Sequence, residues 1–80
     1  MEDMMIKLVT YIACDLLRQP QRIILPDEAI ISSGLINSFS LIDLSLFVEN
    51  TFGVRIDDTE LSAETFDTLE QLTALIRSRQ

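Results

Sequence analysis

The sequence predicts an all-α protein, a four-helix bundle of three longer helices and one short helix, with a long loop between helices I and II. Three observations predict this fold. Hydrophobic residues recur at helical spacing in three segments, and no segment alternates apolar and polar residues over the length of a strand. The chain has 80 residues, of which 48% are hydrophobic, enough for one core at this size. We therefore expect residues 1–80 to form a single domain.

The first helix is predicted over residues 3–18. Its apolar residues follow the spacing i, i+3, i+4, i+7, i+11, which puts them on one side of a helix. The pattern ends before Pro20, because the residue that precedes a proline avoids helical backbone angles. The residues of this stripe are Met5, Leu8, Val9, Ile12 and Leu16, and the opposite side carries Asp3, Lys7, Thr10, Cys14 and Arg18.

Residues 19–37 form a long connection with two prolines and Gly34. A loop of this length in a compact domain is often functional. It also contains large aliphatic residues, which we expect to pack against the helices. They are Ile23, Ile24, Leu25, Ile30 and Ile31.

The second helix is predicted over residues 38–52, ended by Gly53. One or two helical turns are expected within residues 58–63. The last helix is predicted to begin at Asp67, which forms a capping box with Glu70 of the Asp-x-x-Glu type. Its buried stripe is predicted to contain Leu69, Leu72 and Ile76.

The second helix has two apolar stripes where a small bundle covers one. The first stripe spans about 80° and the second is centred about 130° away, at 100° per residue. Two interpretations stay open: the first loop covers the second stripe, or the stripe is exposed and, with Asp43 and Glu49 at its rim, binds a partner. The first stripe is Leu41, Leu44, Val48 and Phe52, and the second is Phe39, Ile42 and Leu46.

Ser38 lies at the start of this helix. One interpretation is a helix cap, because Asn and Ser are favoured at that position. A serine here also has its hydroxyl at the surface, beside the positive end of the helix dipole, where an attached phosphate is favoured. With no base nearby, Ser38 is better suited to modification by another enzyme than to catalysis.

Composition excludes several classes of function. The net charge of −7 argues against nucleic acid and favours partners with basic surfaces. With no histidine and one cysteine, the common zinc sites and Ser-His or Cys-His nucleophile pairs are missing. We expect no enzymatic activity, no catalytic residue, no metal and no role for Cys14. No leader or apolar stretch of about 18 residues is present, so we expect a cytoplasmic protein without membrane insertion.

The stretch GLINSF at residues 34–39, followed by LIDL at 41–44 and FVENTFGV at 47–54, resembles the acyl carrier protein family, which includes peptidyl carrier proteins. The similarity continues through IDDTEL at 56–61 and FDTL at 66–69 and covers nearly the whole chain. The serine motif alone is weak, but these segments in the correct order are specific together.

The resemblance implies that Ser38 receives phosphopantetheine from coenzyme A through a magnesium-dependent transferase. The thiol of this arm carries acyl or aminoacyl groups as thioesters between enzymes. The implied partners are the phosphopantetheinyl transferase, an acyl- or aminoacyl-activating ligase, and downstream synthases or transferases. We expect the protein to be a monomer. The helix after the serine is the family's main recognition element, so the expected docking residues are Asn37, Phe39, Ile42, Asp43, Leu46 and Glu49.

One residue departs from the family pattern, because Asn37 stands where an Asp usually precedes the serine. Asn caps a helix as well as Asp, but one negative charge beside the serine is lost. The alternative function is therefore an unmodified helical adaptor that has lost the arm. Fatty-acid, polyketide, natural-product and D-alanyl cargoes all stay open. The short chain suggests a discrete protein, with a domain excised from a larger synthase as the alternative.

Overall fold

Three α-helices, one π-helical turn and one 3₁₀ turn make up the regular structure of residues 3–80, which the computed structural model describes. Helix α1 covers Asp3–Tyr11, α2 covers Ser38–Phe52, the 3₁₀ turn covers Asp58–Glu60, and α3 covers Leu69–Arg79. No strand occurs within residues 3–80. The predicted all-α bundle, with three longer helices and one short helix, is confirmed.

The end of the first helix differs from the prediction. After Tyr11 the chain widens into a π-helical turn over Ile12–Leu16. Arg18 then adopts the left-handed conformation, with φ of 54°, and the Gln19 N–H donates to the Ala13 carbonyl over 2.7 Å. Helical backbone therefore ends two residues earlier than predicted, at a left-handed residue that closes the last turn.

The loop between α1 and α2 is only partly packed against the helices. Ile24 and Ile30 are buried, with 1% and 0% of their surface exposed, and Ile31 is half-buried. Ile23 and Leu25 are 79% and 54% exposed, so the expectation that they pack is wrong. Ile23, Ile24 and Leu25 are thus alternately exposed, buried and exposed, and only one of these three side chains enters the core.

All three helices contribute to one core. The predicted stripe of α1 is buried at Met5, Leu8 and Ile12, whereas Val9 and Leu16 lie at its margin. Full burial of one such side chain contributes about 1.5–3 kcal/mol. The largest side chains in the centre of the core come from every part of the chain and include Phe66, Leu8, Ile30, Leu44, Leu72 and Ile76.

Helix α3 begins at Leu69, two residues after the predicted start. The cap is Thr68, whose hydroxyl oxygen accepts from the Gln71 N–H over 3.1 Å, and the Gln71 side chain accepts from the Asp67 N–H over 2.7 Å. The predicted capping box of Asp67 with Glu70 is therefore wrong. The Thr68–Gln71 pair has the same spacing, and its use frees the Asp67 carboxylate to bind the long loop. The predicted buried stripe of Leu69, Leu72 and Ile76 is confirmed.

The other end of α3 is joined to the 3₁₀ turn. Arg79 forms an ion pair with Glu60 and donates to the Arg55 carbonyl over 3.2 Å. The hydrogen bond from Arg79 holds the pKa of Glu60 below its usual value, and Glu60 in turn raises the pKa of Arg79. Within the predicted segment 58–63, only Asp58–Glu60 is helical.

A membrane-spanning helix would need to be both longer and more uniformly apolar than any helix within residues 3–80.

Candidate functional site

Asn37 caps the start of α2. Its backbone is extended, with φ of −87° and ψ of 174°, and its side-chain oxygen accepts from the Ser40 N–H over 2.8 Å. Its carbonyl accepts from the Leu41 N–H over 3.0 Å. The interpretation of Ser38 as the cap is therefore wrong by one residue, and the Ser38 hydroxyl is not needed to close the helix.

Ser38 is the first residue of α2 and its side chain is exposed. Its hydroxyl forms no hydrogen bond with any other residue of the described part of the chain. The first turn of α2 contains no acidic residue, so no side-chain charge of that turn opposes the positive end of the helix dipole. A phosphate bound to this oxygen would be stabilised by the dipole and by the free amide groups of the first turn.

The chain that leads to Ser38 is folded back on itself. Gly34, with φ of 82°, makes a turn that favours glycine, and its N–H donates to the Ile31 carbonyl over 3.0 Å. The Ile36 N–H donates to the Ile30 carbonyl over 2.9 Å, and both isoleucines are buried. Ser38 thus follows directly after two anchored residues, Ile36 in the core and Asn37 at the cap.

One face of α2 exposes large apolar side chains to solvent. We call Phe39, Ile42 and Leu46 the outer face of α2; they are 83%, 47% and 52% exposed. The expectation that this stripe is exposed is confirmed, and the alternative that the first loop covers it is wrong. On the opposite, core face Leu41, Leu44 and Val48 are buried and Phe52 is half-buried.

The rim of the outer face is acidic. Asp43 and Glu49 are exposed, and α2 has no lysine or arginine over its whole length. All of the residues predicted to dock partners are therefore at the surface of one helix and its cap. They are Asn37, Phe39, Ile42, Asp43, Leu46 and Glu49.

An aromatic cluster supports the side of α2. The Tyr11 ring stacks on Phe47 with centroids 4.1 Å apart, and Phe47 meets Phe52 edge-on at 6.1 Å. The Tyr11 hydroxyl donates to the backbone carbonyl of Asp43 over 3.3 Å. Burial, assisted by the negative charges of Asp43 and Asp15, raises the pKa of Tyr11. Tyr11 therefore connects α1 to α2 between the core face and the acidic rim.

The other polar residues considered in the sequence do not form a second site. Within residues 3–80 no three acidic or cysteine side chains are grouped closely enough to hold a metal ion, and no pocket is enclosed. Cys14 is exposed on the π-helical turn that follows α1. What the structure offers around Ser38 is an open surface rather than a cleft.

Two residues have contacts that the sequence did not indicate. Asp67 accepts hydrogen bonds from the turn around Ser32, and Tyr11 reaches the Asp43 carbonyl. In both cases the partner lies more than 30 residues away along the chain. Local patterns for caps and stripes contain no information about such pairs.

Comparison with known families gives one match. A family model described as a phosphopantetheine attachment site matches residues 7–76. The matched span begins within α1 and ends within α3, and it contains Ser38 together with the outer face of α2. No curated protein and no solved structure matches the chain.

Proposed function

The chain belongs to the phosphopantetheine-attachment family, and from that premise we propose that Ser38 is the residue to which the arm is attached. The family match supports a phosphopantetheine carrier function. The single observation that carries the assignment to Ser38 is its exposed hydroxyl, free of hydrogen bonds to the described residues, at the positive end of a fifteen-residue helix within the matched span.

Attachment is a phosphoryl transfer to the Ser38 oxygen. This oxygen forms a bond to the phosphorus next to pantetheine, the bond to the adjacent phosphate of coenzyme A breaks, and the adenosine bisphosphate part leaves. No described carboxylate or other base contacts the Ser38 hydroxyl, so the transferase takes its proton. The contribution of this chain is to present the oxygen at the surface and to stabilise the resulting phosphodiester through the start of α2.

The outer face of α2 is the proposed docking surface for the transferase, the activating ligase and the downstream synthases or transferases. Full burial of such a side chain from an exposed position contributes about 1.5–3 kcal/mol. Phe39 is mostly exposed and can gain most of this, whereas Ile42 and Leu46 are about half covered already and gain less. Asp43 and Glu49 favour partners with basic residues around an apolar site. Because two charges rim three large apolar residues, binding should depend less on salt than binding through charges alone.

The cargo of the proposed carrier is an acyl or aminoacyl group held as a thioester on the arm's thiol. The carrier itself performs no catalysis in this proposal, and it works as a monomer in the cytoplasm. Asn37 is the one observation that favours the alternative, an adaptor that keeps the docking helix without an arm. Its side-chain oxygen still caps α2 by accepting from the Ser40 N–H, however, so the start of the helix at Ser38 does not require an Asp.

Intact-mass spectrometry after incubation with coenzyme A, magnesium and a broad-specificity transferase tests the attachment. We expect a gain of roughly 340 Da, the mass of one phosphopantetheine group, on the wild-type protein. Ser38→Ala should show no gain. Ser40→Ala, which changes the other serine of the same helical turn, should load like the wild type. Failure of several transferases to load the wild type, or loading of Ser38→Ala, would reject the assignment, and the first result would favour the adaptor.

A further inference from the structure

We propose that Asp67 is a positioning residue for the modification of Ser38, an inference that rests on the function proposed above. Asp67 lies just before α3 and fixes the loop segment that leads to the serine. One carboxylate oxygen accepts from the N–H groups of Ile31 and Ser32, over 2.8 and 2.9 Å. The other carboxylate oxygen accepts from the Ser32 hydroxyl, and the Asp67 carbonyl accepts from the Ile30 N–H over 2.7 Å. A single residue thus binds three consecutive residues of the loop.

The bound segment continues to Ser38 without a free stretch of chain. Ile30, whose N–H is bound to the Asp67 carbonyl, accepts at its own carbonyl from the Ile36 N–H over 2.9 Å. Ile36 is buried, and Asn37 follows as the cap of α2. Asp67 is therefore connected to Ser38 by a continuous series of contacts. They run from its carboxylate to the turn at residues 30–32, then to the buried Ile36, the cap Asn37 and the serine.

The chemistry of these contacts makes them stronger than ordinary turn contacts. Hydrogen bonds to an ionised carboxylate are shorter and stronger than those between neutral groups. The Ser32 hydroxyl and the amides of Ser32 and Ile31 hold the pKa of Asp67 below its usual value, so the carboxylate is ionised at neutral pH. Without it, two loop amides and one hydroxyl lose their acceptor, and the segment 30–36 is held mainly by its buried isoleucines.

The position of Ser38 matters for loading because its oxygen must meet the phosphorus of coenzyme A in line with the bond that breaks. Small displacements of a reacting group lower the rate of a transfer step far more than they lower binding. Docking, in the function proposed above, depends on the outer face of α2, to which Asp67 forms no hydrogen bond. Loss of Asp67 should therefore lower kcat for loading and leave KM nearly unchanged.

The test compares four variants in transferase kinetics and in amide exchange by NMR. Asp67→Ala removes the carboxylate. Asp67→Asn keeps the oxygen that accepts from the two amides and offers an amide to the Ser32 hydroxyl, so it should restore most of the function. Ser32→Ala removes one of the three partners. Glu60→Ala is the matched control, because it removes an ion pair to the opposite end of α3.

We expect Asp67→Ala to lower kcat for loading about tenfold, Ser32→Ala to lower it less, and Asp67→Asn and Glu60→Ala to stay near the wild-type value. In Asp67→Ala the amides of Ile36 and Ser40, which do not bind Asp67 directly, should exchange faster than in Glu60→Ala. If Asp67→Ala does not fold, the same comparison is made with Ser32→Ala.

Three results would overturn the proposal: wild-type kcat in Asp67→Ala, an equal loss in Glu60→Ala, or unchanged exchange at Ile36 and Ser40. The exchange measurement needs no transferase. If the wild type is not loaded at all, the function proposed above fails, while the exchange data still decide whether Asp67 fixes the segment before Ser38.

Discussion

The two faces of α2 have similar side chains and different surroundings. Leu44 and Leu46 lie two residues apart, yet Leu44 is 1% exposed and Leu46 is 52% exposed. The core face of α2 belongs to one cluster with buried residues of α1, α3 and the long loop, whereas the described chain leaves the outer face largely exposed. Hydrophobicity therefore stabilises the fold on one face. On the other face it is available for the docking that we propose.

The charges of the chain suit an exposed apolar face. A patch of this kind favours association between copies, whereas a net charge of −7 keeps copies apart. Asp43 and Glu49 add that repulsion directly beside the outer face. A partner with basic residues would bring the opposite charge and remove the repulsion.

Alanine substitutions at the two leucines should give the largest difference between the faces. Leu44→Ala leaves a cavity in the core and should lower the free energy of unfolding by about 2–5 kcal/mol. Leu46→Ala removes a half-exposed side chain and should change it by about 0.5 kcal/mol or less. Urea denaturation followed by circular dichroism measures both. Similar losses at the two positions would show that the outer face contributes to the core.

Leu46→Glu should affect partners more than folding. A buried carboxylate at a docking interface opposes association, so we expect loading by the transferase to fall about tenfold in kcat/KM. The free energy of unfolding should stay close to that of Leu46→Ala.

The control for Leu46→Glu is Glu49→Gln, which removes a rim charge and should reduce loading less. A variant that unfolds would mean that position 46 belongs to the core. A steep decline of wild-type loading with salt concentration would contradict the apolar docking that we propose.

Local sequence signals predicted α2 well and the contacts of the loop poorly. The helix starts after Asn37 and ends before Gly53, whose φ of 71° explains the glycine. Both ends depend on residues within one turn, so the sequence contains the information. For α3, two overlapping capping patterns compete, and the contact of Asp67 with Ser32 decides between them.

The division of α2 into two faces was predictable in part. Periodicity located both apolar stripes, but not which neighbours cover them. Ile23 and Leu25 belong to the residues that were candidates to cover the outer face, and both are themselves exposed. Which loop residues face the bundle depends on distant contacts such as that of the Ile30 N–H with the Asp67 carbonyl, and one sequence does not reveal them.

Tyr11→Phe removes a single hydrogen bond at the boundary between the two faces of α2. Loss of the bond to the Asp43 carbonyl should lower the free energy of unfolding by about 0.5–1.5 kcal/mol while the stacking on Phe47 remains. Thermal unfolding measures the loss, and Phe47→Leu, which keeps the hydroxyl and removes the stacked ring, is the complementary variant.

The pH dependence of the free energy of unfolding gives a second test of the Tyr11 hydroxyl. The folded-state pKa of Tyr11 is raised above the ordinary value of 10.0, so above that pH the unfolded chain binds fewer protons than the folded one. The contribution is present below pH 10 and is lost as the pH rises through the folded pKa. The wild type should therefore lose more stability than Tyr11→Phe in this range. Parallel pH profiles would mean that the hydroxyl is solvated.

Asn37→Asp should change the stability only slightly, because the new carboxylate keeps the cap. Its oxygen replaces the amide oxygen as the acceptor for the Ser40 N–H, and its charge lies at the positive end of α2, which should stabilise the fold by about 0.3–1 kcal/mol. If a transferase recognises a carboxylate beside the serine, the variant should load faster than the wild type. Equal rates would mean that the cap alone is required at this position. A slower rate would mean that the added charge repels the phosphates of coenzyme A, so that Asn37 favours loading and no longer supports the adaptor.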